Sequence, residues 1–201
     1  MKENILSKIK KKKLEKKEKI LNSAYKLFIE KGVNNTSIQE IVDAAGIAKG
    51  TFYLYFKDKY DLETELIASK SKELFEEAIA KMYKENIDDF SEELIFVIDY
   101  IIDYLVGDKA LLNFISKDLS LGIYAGKYSY LIENDEIGVY DVFMEGIKKN
   151  KIKLKNPEVT LFMIIELVSS TCFTSITQNY PLPIEEYKPF LHNAIKALIN
   201  T

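Results

Sequence analysis

The sequence of 201 residues contains no arginine and no tryptophan, and it has one cysteine and one histidine. A lone cysteine cannot form a disulfide within the chain, which is compatible with a reducing compartment. Cys172 and His192 lie on different predicted helices, with no nearby carboxylates at metal-ligand spacing. Ordinary packing positions account for both residues, so we expect no enzymatic activity, no metal site and no cofactor.

Long apolar runs are also missing from the sequence. The Met1 start leads into lysines with no apolar segment behind them, unlike a secretory signal peptide. The apolar stretch at residues 161–168 is short and contains Glu166, so we expect no membrane-spanning helix. These features predict a cytoplasmic protein.

Positive charge is abundant near the N-terminus, and all of it is lysine. Residues 1–59 hold 14 lysines against 7 acidic residues, a net charge of +7, whereas residues 60–201 carry a net charge of −10. The lysine-rich start could be a solvated helix end, but such asymmetry is typical of a chain with a nucleic-acid-facing end. Without arginine, the chain cannot make the forked arginine contact with guanine, and lysine is the only cation left to contact that base. We therefore expect any DNA site to be recognised through A·T contacts, shape and phosphates.

Residues 36–61 predict two short helices joined by a turn. The first helix has apolar residues at i, i+3, i+4 and i+7, the spacing of an amphipathic helix, namely Ile38, Ile41, Val42 and Ala45. Thr36 or Ser37 can cap its N-terminus, and Gly46 can adopt the left-handed conformation that ends a helix. The sequence therefore places a sharp turn between the two helices.

The second helix of this pair begins at about Ala48 and buries Phe52 and Phe56 one turn apart. Its remaining side chains face outward and are suited to phosphate oxygens and base edges. This outer face contains Lys49, Gly50, Thr51, Tyr53 and Tyr55, with Leu54 between them. Two helices joined by a short glycine-containing turn are typical of the helix-turn-helix motif, whose second helix enters the major groove.

The string A-G-I-A-K-G-T-F-Y-L-Y-F-K-D-K resembles the TetR family of bacterial transcriptional regulators, and the matching stretch covers roughly residues 15–65. The resemblance implies a homodimer that binds double-stranded operator DNA and a small-molecule effector in a C-terminal domain. It also implies that Thr36 contacts a phosphate as well as capping its helix, and that Lys59 binds a phosphate. An ordinary surface position is the alternative for Lys59.

Ala48 departs from the family pattern, which usually has a helix-capping serine there. Losing such a cap costs about 1 kcal/mol in typical hosts, a deficit that other contacts can offset. A helical effector-binding or interaction protein that has lost specific operator recognition therefore remains an alternative function.

The whole chain predicts an all-α fold, with no strand alternation. Residues 1–60 form a three-helix DNA-binding domain, and residues 61–201 form a larger helical domain for effector binding and dimerisation. The predicted helices cover about residues 10–31, 37–45, 48–56, 58–86, 94–107, 108–121, 140–147, 157–178 and 187–198, with a loop or broken helix at 122–130. The last two carry more apolar surface than one partner covers, which predicts a homodimer through a four-helix bundle.

Effector-binding residues are harder to predict, because most aromatic side chains on apolar helices belong to the core. The candidates are Phe96, Tyr100, Tyr104, Phe114, Phe143 and Phe173, together with Glu166, which interrupts an apolar helix. A buried carboxylate needs a compensating partner. Glu166 could pair with a lysine across the dimer, face water or orient a ligand. The surrounding apolar residues predict a largely apolar effector.

Overall fold

The computed structural model describes residues 2–115 and 139–200. Within these ranges the chain forms nine helices and no strand, which confirms the all-α fold. In chain order the helices are α1 Lys2–Lys31, α2 Ile38–Ala45, α3 Lys49–Phe52, α4 Lys59–Met82, α5 Phe90–Gly107, α6 Lys109–Ile115, α7 Val139–Lys149, α8 Pro157–Gln178 and α9 Ile184–Ile199. The chain divides into two compact units, Met1–Leu66 and Ile67–Thr201, and the division falls within α4.

The N-terminal unit packs around apolar residues from α1 to α4. Its most deeply buried apolar side chains are Ile20, Ala24, Ile41, Val42, Phe52, Phe56, Leu62 and Leu66. Gly32 and Gly46 end α1 and α2 with φ values of 82° and 65°, a conformation that glycine adopts without a Cβ clash. α1 begins at Lys2, earlier than predicted, because lysine, glutamate and leucine are good helix formers.

In the C-terminal unit, α5, α7, α8 and α9 share one apolar core. α5 buries seven residues, three of which belong to this core. α9 also carries a polar row, Lys188, His192 and Lys196, at successive turns. Their side-chain nitrogens lie 2.5, 2.8 and 2.6 Å from carboxylate oxygens of Asp103, Asp99 and Glu92 on α5. This row fixes the register of α9 against α5.

Several helix boundaries differ from the sequence prediction. α5 begins at Phe90 because Asp89 caps it, accepting hydrogen bonds from the N–H groups of Ser91 and Glu92. α4 ends at Met82, four residues early, and α9 begins at Ile184, directly after Pro183. The second half of the helix predicted at 108–121, and the loop predicted at 122–130, lie outside the described residues.

α8 begins at Pro157 and ends at Gln178 as predicted, with Asn156 as its N-cap. Its length and composition are those of a helix that could cross a membrane, although Glu166 lies within it. Length and composition are weak evidence for a membrane span, since core helices of soluble proteins share them. In the C-terminal unit α8 buries seven residues, five of which belong to the shared apolar core.

Candidate nucleic-acid interface

A capping box fixes the start of α2. The N–H of Glu40 donates to Ser37 Oγ at 3.2 Å, and the N–H of Ser37 donates to Glu40 Oε2 at 2.8 Å. The Lys31 ammonium also pairs with Glu40. These partners, Lys31 first and Ser37 second, lower the pKa of Glu40 to about 2. The helix that precedes the turn is therefore tied at its N-terminus to the end of α1.

Thr36 has a different role from the one predicted. Its hydroxyl donates to the carbonyl oxygen of Gly32 at 2.8 Å, and only 1% of the residue is exposed. Of the two residues predicted as possible caps of α2, Ser37 is the cap and Thr36 is not. Its hydroxyl proton is also already engaged, so a phosphate contact by this hydroxyl is not supported. Thr36 stabilises the turn between α1 and α2 from inside.

α3 is a single turn, shorter than predicted. Ala48 precedes it in an extended conformation with no side-chain cap, and the helix ends at Phe52. The aromatic and β-branched residues of this segment have modest helix propensity. The i to i+4 spacing still holds, since the N–H of Phe56 donates to the carbonyl of Phe52 at 3.0 Å and both rings are buried. These two rings anchor the segment and direct its other side chains outward.

The outward side chains form one exposed surface. We call it the recognition surface, and it consists of Lys49, Gly50, Thr51, Tyr53, Leu54 and Tyr55. Tyr53 is 52% exposed and Leu54 is 76% exposed. Lys49 and Gly50 are exposed too, whereas Thr51 and Tyr55 are half-buried. The Tyr53 ring meets the buried Phe52 ring edge-on, with centroids 5.4 Å apart, so its position is supported from beneath.

Lys59 is neither an ordinary surface lysine nor a free phosphate clamp. Its ammonium donates to the carbonyl oxygens of Val33, Asn34 and Thr36 at 2.8, 3.0 and 3.0 Å. An ammonium has three protons, and these bonds use all of them. The predicted phosphate contact is therefore not supported by this conformation. Lys59 joins the start of α4 to the turn between α1 and α2.

The N-terminus of α4 has its own reciprocal cap. Asp58 Oδ1 accepts from the N–H groups of Tyr60 and Asp61, each at 2.9 Å, and so caps the helix. Asp61 Oδ2 in turn accepts from the N–H of Lys57 at 2.9 Å. These bonds fix the segment that leads from the recognition surface into α4.

Positive charge lies on exposed parts of α1. Lys11, Lys12 and Lys13 are exposed along one stretch of this helix. Lys17 instead pairs with Glu65 at 2.5 Å and lies 5.7 Å from the centroid of the Phe56 ring. The first group is therefore available to phosphates, whereas Lys17 contributes to packing within the N-terminal unit.

A model of the family described as bacterial regulatory proteins, tetR family, matches residues 20–66, which contain α2, the turn and α3. The chain belongs to the TetR family. It is therefore a DNA-binding transcriptional regulator, as the resemblance of its helix-turn-helix implied.

Curated relatives that are named as transcriptional regulators match this TetR-family protein over nearly their whole length. An HTH-type transcriptional regulator of Staphylococcus aureus (strain USA300) is 28% identical over 184 residues, covering 89% of this chain and 91% of the relative. The uncharacterized HTH-type transcriptional regulator YhgD of Bacillus subtilis (strain 168) is 26% identical over 176 residues, covering 86% and 90%. The similarity thus extends beyond the helix-turn-helix.

Solved structures share the fold of this TetR-family protein. FadR from Bacillus subtilis in complex with stearoyl-CoA matches with a TM-score of 0.60 and 22% identity, covering 90% of this chain and 96% of FadR. RolR in complex with resorcinol matches with a TM-score of 0.70 and 16% identity, covering 95% and 90%. At such identities the likeness concerns the fold alone.

The predicted effector residues of the TetR-family protein do not converge on one site. A cavity of about 20 Å³ lies between α5, α6 and α8, and of the seven candidates only Phe173 lines it. Tyr100 donates to Glu77 Oε1 at 2.6 Å, which raises the pKa of Tyr100. Phe143 packs against Phe90 in the core, with ring centroids 5.8 Å apart. Burial, opposed by the Thr171 hydrogen bond, raises the pKa of Cys172 on the cavity wall to about 12.

The remaining candidates lie elsewhere. Tyr104 is 42% exposed, Glu166 and Phe96 are half-buried, and none of them lines the cavity, nor does Phe114. Across residues 2–115 and 139–200, no three His, Cys, Asp or Glu side chains are grouped to hold a metal ion.

Two exposed residues of the N-terminal unit have no role assigned from the sequence. The sequence places Leu54 on the outer face, where an apolar side chain is itself a signal. Tyr60 is 53% exposed, and its hydroxyl lies 3.4 Å from Asn34 Oδ1. The lysine beside it, Lys59, lies 5.4 Å from the Tyr60 ring centroid.

Proposed function

We propose that this TetR-family regulator is a repressor that binds its operator as a homodimer and leaves it when a small, largely apolar effector binds the C-terminal unit. The observation that carries the DNA-binding half is the exposure of the recognition surface. Tyr53 and Lys49 face solvent, while Phe52 and Phe56 hold the segment in place from the core. Within this surface, we assign Lys49, Gly50, Thr51, Tyr53 and Tyr55 to bases and phosphates.

Dimerisation is proposed through α8 and α9. Val159 and Met163 are 48% and 42% exposed one turn apart on α8, and Phe190 on α9 is 63% exposed. Phe162, at 47%, lies on the same face of α8. Exposed apolar residues on two helices that contact each other are typical of a face that pairs with its copy about a two-fold axis. Glu166 follows Met163 on this face, which favours its pairing across the dimer over a role in ligand binding.

The effector is proposed to enter between α5, α6 and α8. The cavity there is lined by apolar side chains, with Ser169 and Cys172 as its polar residues. Its volume of about 20 Å³ holds no more than a water molecule, so an effector has to open it. Such a ligand shifts the DNA-binding equilibrium only by its differential affinity for the opened and closed forms. FadR and RolR, which share the fold, are in complex with stearoyl-CoA and resorcinol, whose apolar parts are an acyl chain and an aromatic ring.

The proposal is tested by selecting DNA sites from random and genomic libraries with the full-length protein. We expect a palindromic or pseudo-palindromic site, bound by two chains, with half-sites one helical turn or a multiple apart. Analytical ultracentrifugation of protein alone and of the complex gives the stoichiometry. A Phe190→Glu variant should be monomeric and lose affinity, whereas Tyr180→Glu, at an exposed residue outside α8 and α9, should stay dimeric. A wild-type protein that remains monomeric on its selected DNA would contradict the homodimer.

One observation favours a second function, an effector-binding protein that has lost operator recognition. Ala48 provides no side-chain cap for α3. This short helix therefore lacks the hydrogen bond that a capping side chain accepts from a backbone N–H of the first turn. Equal affinity for selected and random DNA would support this second function and exclude the first. We also propose that the protein acts in the cytoplasm, where a bacterial regulator meets the chromosome.

A further inference from the structure

We propose that Leu54 recognises the methyl group of a thymine in each half-site and so makes the operator depend on an A·T pair at that position. This inference rests on the operator recognition proposed above and adds a specificity-determining residue that is absent from the set assigned there to bases and phosphates.

Leu54 differs from the other large apolar side chains in its exposed fraction. It is 76% exposed, more than any other exposed large apolar side chain in residues 11–115 and 139–200. Single exposed apolar residues are common and need no explanation by themselves. Leu54 differs because it lies at the centre of the recognition surface, between Tyr53 and Tyr55. With 76% of Leu54 exposed, contacts within the fold cover only a small part of its side chain.

The backbone keeps Leu54 pointing away from the core. Its N–H donates to the carbonyl of Thr51 at 3.2 Å, and the N–H of Tyr55 donates to the carbonyl of Phe52 at 2.9 Å. Phe52 and Phe56 on either side are 0% and 2% exposed, so both inward positions are occupied. Leu54 therefore cannot become buried without displacing one of these rings.

Groove chemistry then identifies the target of Leu54. A leucine side chain has no hydrogen-bond donor or acceptor, so it cannot distinguish the amino, carbonyl or ring-nitrogen groups on base edges. The C5-methyl of thymine is the apolar group that the major groove presents. Leucine contacting that methyl discriminates T from C through dispersion and removal of apolar surface from water.

The neighbouring residues are consistent with close approach of a groove. Gly50 has open space where a Cβ would lie, and Lys49 on the preceding position can neutralise a phosphate at the groove edge. The chain has no arginine to recognise guanine by the forked contact. The recognition surface thus combines hydroxyl, ammonium and apolar groups, of which only the apolar one requires thymine.

The test replaces each thymine of the selected operator in turn with deoxyuridine, which removes the methyl and leaves base pairing unchanged. Affinity is measured by fluorescence anisotropy for wild type and for Leu54→Ala. We expect one position per half-site at which deoxyuridine weakens wild-type binding by about fourfold, the effect of exposing one buried methyl group. At that position the same replacement should leave the affinity of Leu54→Ala unchanged.

Leu14→Ala provides the matched control, because Leu14 is also an exposed leucine of the N-terminal unit, 61% exposed on α1. Its variant should respond to deoxyuridine as wild type does. Both variants should unfold at the wild-type urea midpoint, since both side chains are exposed. Equal deoxyuridine effects on wild type and Leu54→Ala at every position would overturn the inference while leaving operator recognition intact. Wild-type protein that does not distinguish its selected operator from random DNA would overturn the proposed function and this inference together.

Discussion

The Lys59 ammonium lies 2.8 Å from the carbonyl oxygen of Val33, although α2 and α3 lie between these two residues in the sequence. Two further carbonyls, of Asn34 and Thr36, complete its set of acceptors. The lysine that begins α4 therefore holds the chain just before α2, the first helix of the helix-turn-helix. Its ammonium group therefore stabilises the structure of the DNA-binding unit through these hydrogen bonds.

This arrangement predicts how Lys59 and Lys49 differ in their effects on DNA binding. Lys59→Met should lower the free energy of unfolding by about 1–3 kcal/mol, since it removes charge-assisted hydrogen bonds from a half-buried group. It should leave the slope of log affinity against log salt unchanged. Lys49→Met should leave stability unchanged and reduce that slope by about 0.9, the loss of one phosphate contact. Urea unfolding and operator titrations at several salt concentrations measure both quantities.

A control for the lysine pair is Lys81→Met, at an exposed residue on α4 in the C-terminal unit. It should alter neither stability nor salt dependence. A reduced salt slope in Lys59→Met would mean that Lys59 releases its carbonyl partners and contacts a phosphate in the complex.

Specific and non-specific DNA affinity should respond differently to Tyr53 and Lys12. Tyr53→Ala removes an exposed side chain supported by Phe52 and should lower operator affinity by about 1–3 kcal/mol with little effect on random DNA. Lys12→Ala should weaken binding to operator and random DNA by similar factors and flatten the salt dependence. Mobility-shift titrations with both DNAs at two salt concentrations measure the difference. Parallel losses for Tyr53→Ala on both DNAs would remove Tyr53 from the specificity set.

Acid should weaken the N-terminal unit through Glu40. Its pKa is lowered from 4.5 to about 2 by Lys31 and Ser37, so the charged form stabilises the folded state above pH 4.5. That contribution should fall as pH decreases from about 4.5 to about 2, where the folded-state carboxylate takes up its proton. The stability difference between wild type and Glu40→Gln should disappear over the same range.

Urea unfolding at a series of pH values measures the effect of Glu40, and NMR titration of its side chain gives the pKa directly. Glu73→Gln is the comparison, since Glu73 pairs with Lys70 on the exposed side of α4 without a capping role. A titration midpoint of Glu40 near 4.5 would contradict the paired arrangement.

The core of the C-terminal unit should be sensitive to one added methyl group at Gly146 on α7. A Cβ there would lie 2.0 Å from a ring carbon of Phe90, which is buried and packed against Phe143. Alanine improves helix propensity by about 1 kcal/mol, whereas overpacking a core costs about 1–3 kcal/mol. Because a rigid buried ring cannot swing aside, we expect Gly146→Ala to destabilise the protein.

Gly107→Ala is the matched control for Gly146, because Gly107 also lies in a helix and a Cβ there would meet no atom within 4 Å. This variant should be as stable as wild type or more stable. Thermal unfolding of both variants checks the pair. An unchanged or higher melting temperature for Gly146→Ala would show that α7 can move away from Phe90.

Local patterns predicted much of the fold because the physical causes are local. α8 follows Asn156 and Pro157, a cap and a preorganised first residue, and its bounds agree with the prediction. The burial of Phe52 and Phe56 followed from their spacing of one helical turn. α3 was predicted too long because its anchoring rings maintain the spacing without a continuous helix.

Polar side chains were predicted less well than apolar ones. Thr36 lies one residue before Ser37, the residue that caps α2. Both residues have a hydroxyl that could cap the helix, so the sequence does not distinguish them. Tyr100 was a candidate for a ligand site, yet its hydroxyl bonds Glu77 on the preceding helix. In each case the partner is set by which helix packs alongside, information that periodicity does not contain.

The sequence by itself determined the all-α fold, the position of the helix-turn-helix and the family, because helix caps, turn glycines and apolar spacing act over a few residues. Only the tertiary structure decided what the polar groups do. Lys59 was expected at a phosphate and bonds three carbonyls, since folding brings distant backbone groups within reach of a long flexible side chain. Leu54 is exposed because Phe52 and Phe56, two positions away on either side, are the residues of this segment that pack into the core.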